Sequence, residues 1–163
     1  MTDSIPNTNN DIQAVKDKAL QWAEGVASAA APELSLTARI TSEEPEGLVI
    51  AFEGPDAERM VGRNGQILDA IGFIAGQVIN RRGNARLRVL FDADDYRRKR
   101  EETLVKLATE LAEQVIATGQ EAVLDPLSPM ERRIIHNVVA EMDGAQTYSE
   151  GIEPDRYIII SPQ

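Results

Sequence analysis

Two glycines stand three residues apart at Gly62 and Gly65, with an arginine and an asparagine between them. Glycine lets a backbone approach a ligand closely and adopt conformations that other residues avoid. A helical apolar pattern begins directly after Gly65, and a helix N-terminus carries free N–H groups and a partial positive charge. The stretch therefore predicts a loop that can hold a phosphate group.

The same four residues could instead form a turn that needs two glycines only for its geometry. Two other kinds of phosphate-binding loop are excluded. A Walker loop requires a lysine followed by serine or threonine, which this stretch lacks. A dinucleotide fingerprint requires a strand that leads directly into its glycines, whereas a short helical turn from Asp56 to Met60 is predicted here. A plain turn and a phosphate-binding loop remain the two interpretations of the motif by itself.

Basic side chains are concentrated around this loop in an otherwise acidic chain. The formal net charge is −10, yet residues 59–100 contain 10 of the 17 Lys and Arg residues and only 4 of the 27 acidic ones. The acidic total argues against a general polyanion binder. A basic segment in an acidic protein suits selective contact with phosphate, because long-range attraction is weak and screened. Cationic candidates beside the loop are Arg59, Arg81 and Arg82.

Some of these arginines have an equally good structural explanation. Arg81 and Arg82 lie where the helix after the loop is predicted to end, and cations at that position complement the helix dipole. Residues 97–100 are all basic and open the next predicted helix, where positive charge opposes the dipole. For that run we expect either phosphate contact or ion pairs with nearby acidic residues.

Hydrophobic periodicity predicts an α+β fold of two parts, 11–93 and 94–163, after a disordered tail at residues 1–10. The first part is predicted to run helix, strand, strand, short helix, glycine loop, helix, strand. A long helix over 95–118 opens the second part, and strand, helix, strand and strand follow it. Ser128, Pro129 and Glu131 predict the start of that last helix, with Ser128 and Glu131 as a capping box.

Composition excludes several function classes. The chain has no cysteine and one histidine, so disulfides, thiolate sites and multi-histidine metal sites cannot form. It also lacks an apolar run of membrane-spanning length and a signal-peptide pattern. No nucleotide-hydrolysis motif occurs. We expect a cytoplasmic, non-catalytic protein without a cofactor, a bound metal or membrane insertion.

The order of elements over 11–93, with a basic glycine loop between two helices, resembles the type II KH domain of bacteria. The resemblance implies a three-stranded mixed sheet with helices on one face. It also implies that Gly62-Arg63-Asn64-Gly65 clamps the backbone of a single strand about four nucleotides long, while an adjacent apolar groove reads the bases. Arg63 would then meet phosphate as a charged donor, Asn64 would add a neutral donor, and Arg59, one turn earlier, would widen the contact.

Arg132 and His136 lie four residues apart on the helix that is predicted to start at Ser128. Alone, they could be residues at the edge of the core, with His136 hydrogen-bonded to the backbone and Arg133 nearer to solvent. Together with the sequence Tyr-Ser-Glu-Gly at 148–151, they resemble the R-3-H domain, which is named for its Arg-x-x-x-His motif. That domain binds single-stranded nucleic acid, which implies a binding surface beside Arg132, Arg133 and His136. The net acidity of residues 119–163 leaves open a role in protein contacts instead.

A KH domain followed by an R-3-H domain resembles the bacterial Jag family, also called KhpB. The resemblance implies an RNA-binding regulator or RNA chaperone linked to cell-envelope growth, cell shape and division, often with a KH-only partner that resembles KhpA. It implies single-stranded RNA as the ligand, and leaves single-stranded DNA open. Some members carry a further N-terminal domain, and functions that depend on it are not expected here, since few residues precede the first predicted helix. The alternative is a protein-interaction adaptor in which the KH fold is mainly a scaffold.

Overall fold

A computed structural model describes residues 8–30, 32–44, 47–79 and 88–163. The chain divides into a first unit that ends at Arg97 and a second unit, Arg98–Gln163. The first unit contains α1 (Thr8–Ala30), β1 (Thr37–Glu44), β2 (Gly47–Glu53), two 3-10 turns (Ala57–Met60 and Arg63–Gly65), α2 (Gln66–Ile79) and β3 (Arg88–Ala93). The remaining elements are α3 (Tyr96–Thr118), β4 (Ala122–Val123), α4 (Pro129–Ala140), β5 (Ala145–Glu150) and β6 (Tyr157–Pro162).

The sheet of the first unit has the order β1-β2-β3, with β1 antiparallel and β3 parallel to the central strand. The predicted α+β class and the three-stranded mixed sheet are therefore confirmed. Strand β2 alternates between buried and half-buried side chains, as a strand with one covered face must. Its buried residues join the core formed with α1, α2 and β3. Phe52 stacks on Phe91 at a centroid distance of 5.5 Å, and Trp22 meets Phe91 edge-on at 6.0 Å.

The second unit packs α3 and α4 against a sheet of order β4-β6-β5, in which both pairings are antiparallel. Its core includes Leu104 and Val115 of α3, Ile135 of α4 and Ile160 of β6. The predicted capping box is confirmed, because Ser128 Oγ accepts the N–H of Glu131 and Glu131 Oε2 accepts the N–H of Ser128. Among the described residues, no helix combines the length and the apolar character that crossing a membrane requires.

Several predicted boundaries differ from the structure. Helix α1 begins at Thr8, so residues 8–10 of the predicted tail are helical, whereas residues 1–7 lie outside the described residues. The apolar periodicity starts at Ile12 and could not mark a polar first turn. The sequence Glu-Glu-Pro-Glu-Gly at 43–47 predicts a turn between the first two strands, yet strand β1 runs through Glu44 and so includes the first two of these residues. The units divide between residues 97 and 98, four residues beyond the predicted boundary.

Replacing Phe91 by alanine should lower the free energy of unfolding of the first unit by about 3–5 kcal/mol, because a fully buried ring is lost from the core. The matched control is Phe73→Ala on α2, where the ring is 70% exposed. That change should cost less than about 0.5 kcal/mol. Urea unfolding followed by the fluorescence of Trp22, the single tryptophan, measures both. Equal losses in the two variants would contradict the assignment of this core.

Candidate nucleic-acid interface

The loop at residues 62–65 has a backbone that only particular residues can adopt. Gly62, Asn64 and Gly65 all have positive φ, at 69°, 51° and 79°. A Cβ on Gly62 would lie 2.6 Å from Cγ1 of Ile67, and one on Gly65 would lie 2.8 Å from Cε1 of Tyr96. Both glycines are therefore required by backbone conformation and by packing, and asparagine is among the residues that tolerate the left-handed region.

The tip of the loop presents its two polar side chains to solvent. Arg63 and Asn64 are exposed, whereas Gly65 behind them is buried. Within the part of the chain that the structure describes, Arg63 has no ion-pair partner. The N–H of Ile67 donates to the carbonyl oxygen of Val61 at 3.2 Å and so closes the loop across its base. The arrangement offers one cation and one amide from a loop of fixed shape.

The first two residues of α3 support the loop from behind. The ring of Tyr96 lies against Gly65. Arg97 donates from Nη2 to Asp69 Oδ1 at 2.8 Å and from Nε to the carbonyl oxygen of Phe91 at 2.7 Å. Asp69 lies in the first turn of α2, so Arg97 ties the start of that helix to β3.

This support was not predicted from the sequence. For residues 97–100, the sequence suggested ion pairs with acidic residues nearer in the chain. Arg98 has such a pair, with Glu102 at 2.9 Å, whereas Arg97 reaches back to Asp69 and Arg100 pairs with Glu131 at 2.8 Å. The sequence shows that Asp69 lies four residues after Gly65, but it does not indicate that Arg97 is its partner.

Two further features of the first unit lie beside the loop. Arg59, on the preceding 3-10 turn, is exposed and has a long ion pair of 3.9 Å with Asp56. Ile67, Ile74 and Val78 are exposed apolar residues that share one side of α2, since they are seven and four positions apart. This line of side chains starts next to the loop and supplies an apolar surface there. Arg81 and Arg82 lie outside the described residues.

The motif residues of the second unit differ in their exposure. Arg132 is buried. Its Nε donates to the carbonyl oxygen of Leu127 at 3.2 Å, and its Nη2 forms an ion pair with Glu153. The sequence placed this arginine at the edge of the core, but its guanidinium is engaged inside the unit. His136 and Arg133 are exposed on the same helix.

His136 is held by β5. Its Nδ1 is hydrogen-bonded to the hydroxyl of Thr147. The sequence alone had suggested a hydrogen bond to the backbone instead. That contact leaves the other ring nitrogen as the polar atom with which His136 could meet a ligand. Among the residues that the structure describes, no three His, Asp or Glu side chains form a group that could hold a metal ion.

Comparison with known proteins identifies both the domain and the family. Residues 102–162 match the family model of the R-3-H domain, which places the chain among proteins that contain this domain. The RNA-binding protein KhpB of Clostridium symbiosum is 33% identical over 149 residues, which are 91% of this chain and 67% of that protein. The chain belongs to the KhpB family, as the resemblance in its sequence had suggested.

Other relatives carry the same name. The RNA-binding protein KhpB of Lactiplantibacillus plantarum is 36% identical over 102 residues, which are 63% of this chain and 32% of that protein. That of Streptococcus pneumoniae serotype 2 is 28% identical over 157 residues, 96% of this chain and 47% of the relative. The chain thus matches between about a third and two thirds of the length of these relatives.

Substituting alanine for Gly65 should destabilise the first unit by at least about 1–2 kcal/mol, the usual penalty for an L-residue in the left-handed region, with the clash against Tyr96 added. Gly25→Ala in α1 is the control, because a Cβ there meets nothing within 4 Å. That change should stabilise the helix by about 0.5–1 kcal/mol. Urea unfolding measures both. A stable Gly65→Ala protein would show that the loop does not need its observed conformation.

The neighbouring arginines of α4 provide a second test. Arg132→Ala should lower the free energy of unfolding of the second unit by about 2–4 kcal/mol, because it leaves a buried carbonyl and Glu153 without their donor. Arg133→Ala should change it by less than about 0.5 kcal/mol, since that side chain is exposed. Thermal unfolding followed by circular dichroism separates the two. Equal effects would argue that Arg132 is not structural.

Proposed function

We propose that the chain is a non-catalytic regulator that binds single-stranded RNA, and that the loop at 62–65 clamps the RNA backbone. The observation that carries the proposal is the loop itself, a glycine-enforced turn that presents exposed Arg63 and Asn64 in front of buried Gly65. The position of the loop at the start of α2 adds the favourable end of a helix dipole. The name RNA-binding protein, which the relatives share, supports the same ligand class.

The clamp would hold the RNA phosphates on a polar surface and the RNA bases on an apolar one. Arg63 donates to a phosphate with the added strength of a charged hydrogen bond, and Asn64 adds a neutral donor. Arg59 widens the cationic surface, and Arg81 and Arg82 are further candidates for it. The bases of about four nucleotides then lie along the apolar side of α2 that begins with Ile67. Together these features support a KH-like mode of RNA binding for the first unit.

The R-3-H domain would supply a second contact through α4. We assign direct contact with the strand to His136 and Arg133, which are exposed. Arg132 would act indirectly, because its guanidinium holds Leu127 and Glu153 while its helix presents the other two side chains. Arg132 is thus a positioning residue in this scheme.

The family resemblance is the basis of our proposal for the cellular setting of this activity. We place the protein in the cytoplasm, where it would regulate cell-envelope growth and division through bound RNA, with a KH-only protein of the KhpA kind as a partner. Single-stranded DNA is the competing ligand, since the clamp described here contacts phosphate and base rather than the 2′-hydroxyl.

Binding to a fluorescein-labelled octamer of uridylate, measured by anisotropy over a salt series, tests the clamp. Arg63→Asp combined with Asn64→Asp should weaken binding at least tenfold, and the salt slope should fall by about 0.7 for the one phosphate contact that is lost. The control is Lys106→Glu with Gln114→Glu, on exposed positions of α3, which changes the formal charge equally. The control should bind almost as the parent does.

Two outcomes would contradict the proposal. Parent-like affinity in the loop variant, with an unchanged circular dichroism spectrum, would remove the loop as the clamp. No binding of uridylate or mixed-sequence RNA octamers by the parent protein would remove RNA as the ligand. The deoxy form of each octamer, tested alongside, decides between RNA and DNA.

A further inference from the structure

The sheet of the second unit has one face that neither α3 nor α4 covers. Ile158 and Ile160 of β6 point into the core, so Ile159 between them points outward. The strand register places Ile159 between Val123 of β4 and Tyr148 of β5. Val123 is 65% exposed and Tyr148 is 40% exposed. We call this surface the outer sheet face: Glu121, Val123, Tyr148, Glu150, Tyr157 and Ile159.

Each tyrosine on the outer sheet face is tied to a carboxylate. The hydroxyl of Tyr148 donates to Glu121 Oε1 at 3.2 Å, and that of Tyr157 donates to Glu150 Oε2 at 3.1 Å. Glu121 adjoins β4, whereas Tyr148 lies on β5 at the opposite edge of the sheet. The ring of Tyr148 must therefore extend across the central strand, which explains why outward-pointing Ile159 is only 6% exposed.

These contacts fix the rings and keep them uncharged. Partial burial, followed by the hydrogen bond to Glu121, raises the pKa of Tyr148. The hydrogen bond to Glu150 and its negative charge raise the pKa of Tyr157. A tyrosine with its ordinary pKa is already protonated at neutral pH, and these shifts keep both phenols protonated to still higher pH.

The charge on this face selects the kind of ligand that it can bind. Glu121 and Glu150 are exposed there, and the outer sheet face includes no lysine or arginine. Aromatic surfaces that stack nucleic-acid bases work together with basic grooves that hold the phosphates. Here the carboxylates would repel a phosphate backbone. The same carboxylates, beside an aromatic ring, attract a cation.

We propose that the outer sheet face is a docking surface for an arginine-bearing segment of a partner protein. A guanidinium group can stack on the ring of Tyr148 and donate two parallel hydrogen bonds to a carboxylate, which a lysine ammonium cannot do. Exposed Val123 supplies apolar surface for the methylene groups of the arginine. This surface does not include Arg133 or His136, the two residues proposed to contact RNA.

Chemical-shift mapping of the full-length 15N-labelled protein tests the proposal with two short blocked peptides, Gly-Arg-Gly-Arg-Gly and Gly-Lys-Gly-Lys-Gly. The arginine peptide should shift the amides of Val123, Tyr148 and Ile159 and bind about two- to fivefold more tightly than the lysine peptide. Tyr148→Leu should abolish that preference. Tyr148→Phe, which keeps the ring, should retain it and so separates stacking from a general loss of structure.

Charge variants provide the second arm. Glu121→Gln with Glu150→Gln should weaken both peptides, whereas Glu110→Gln with Glu113→Gln, an equal charge change on exposed positions of α3, should not. Absence of binding, equal binding of the two peptides, or shifts spread over the whole acidic surface would overturn the proposal. So would a uridylate octamer that shifts the outer sheet face in a Tyr148-dependent manner, because the face would then belong to nucleic acid.

Discussion

The contact on which the proposed binding surface of the first unit depends is the packing of the Tyr96 ring against Gly65. There is no room for a Cβ at that point, so the loop must place bare backbone there. Arg97 then fixes the first turn of α2 through Asp69, and the loop is held between two restrained helix starts. The side chains of Arg63 and Asn64 remain exposed to solvent. A ligand that meets such a loop loses little of its binding energy to ordering the protein, which is the general benefit of a preorganised site.

Prediction from sequence succeeded where the determining interactions are local. The capping box at Ser128 was found because its two partners are three residues apart. The second strand was predicted because Leu48, Ile50 and Phe52 alternate along the sequence, and the structure buries all three. The pairs Arg97–Asp69 and Arg132–Glu153 were missed. Their members are 28 and 21 residues apart, and tertiary packing rather than any sequence period selects them.

Two adjacent arginines of α4 illustrate the same limit for function. Arg132 belongs to the motif that identifies the domain, yet it is buried and its guanidinium is bound within the unit. Arg133 is outside the motif but exposed. A motif therefore reports which side chains a fold requires together, and burial decides which of them a ligand can reach. In this unit the exposed member of the motif is His136.

Helix α3 has a consequence for how this chain can be divided. Its first two residues back the glycine loop, while its later residues, from Leu104 onward, build the core of the second unit. A fragment that stops at residue 93, after the last strand of the first unit, contains every element of that fold but not Tyr96 or Arg97. A fusion of the first unit to a different domain must therefore include the first turn of α3. The boundary between the two units lies inside helix α3. A domain exchange made at the end of β3 would therefore separate the glycine loop from Tyr96 and Arg97, which support it.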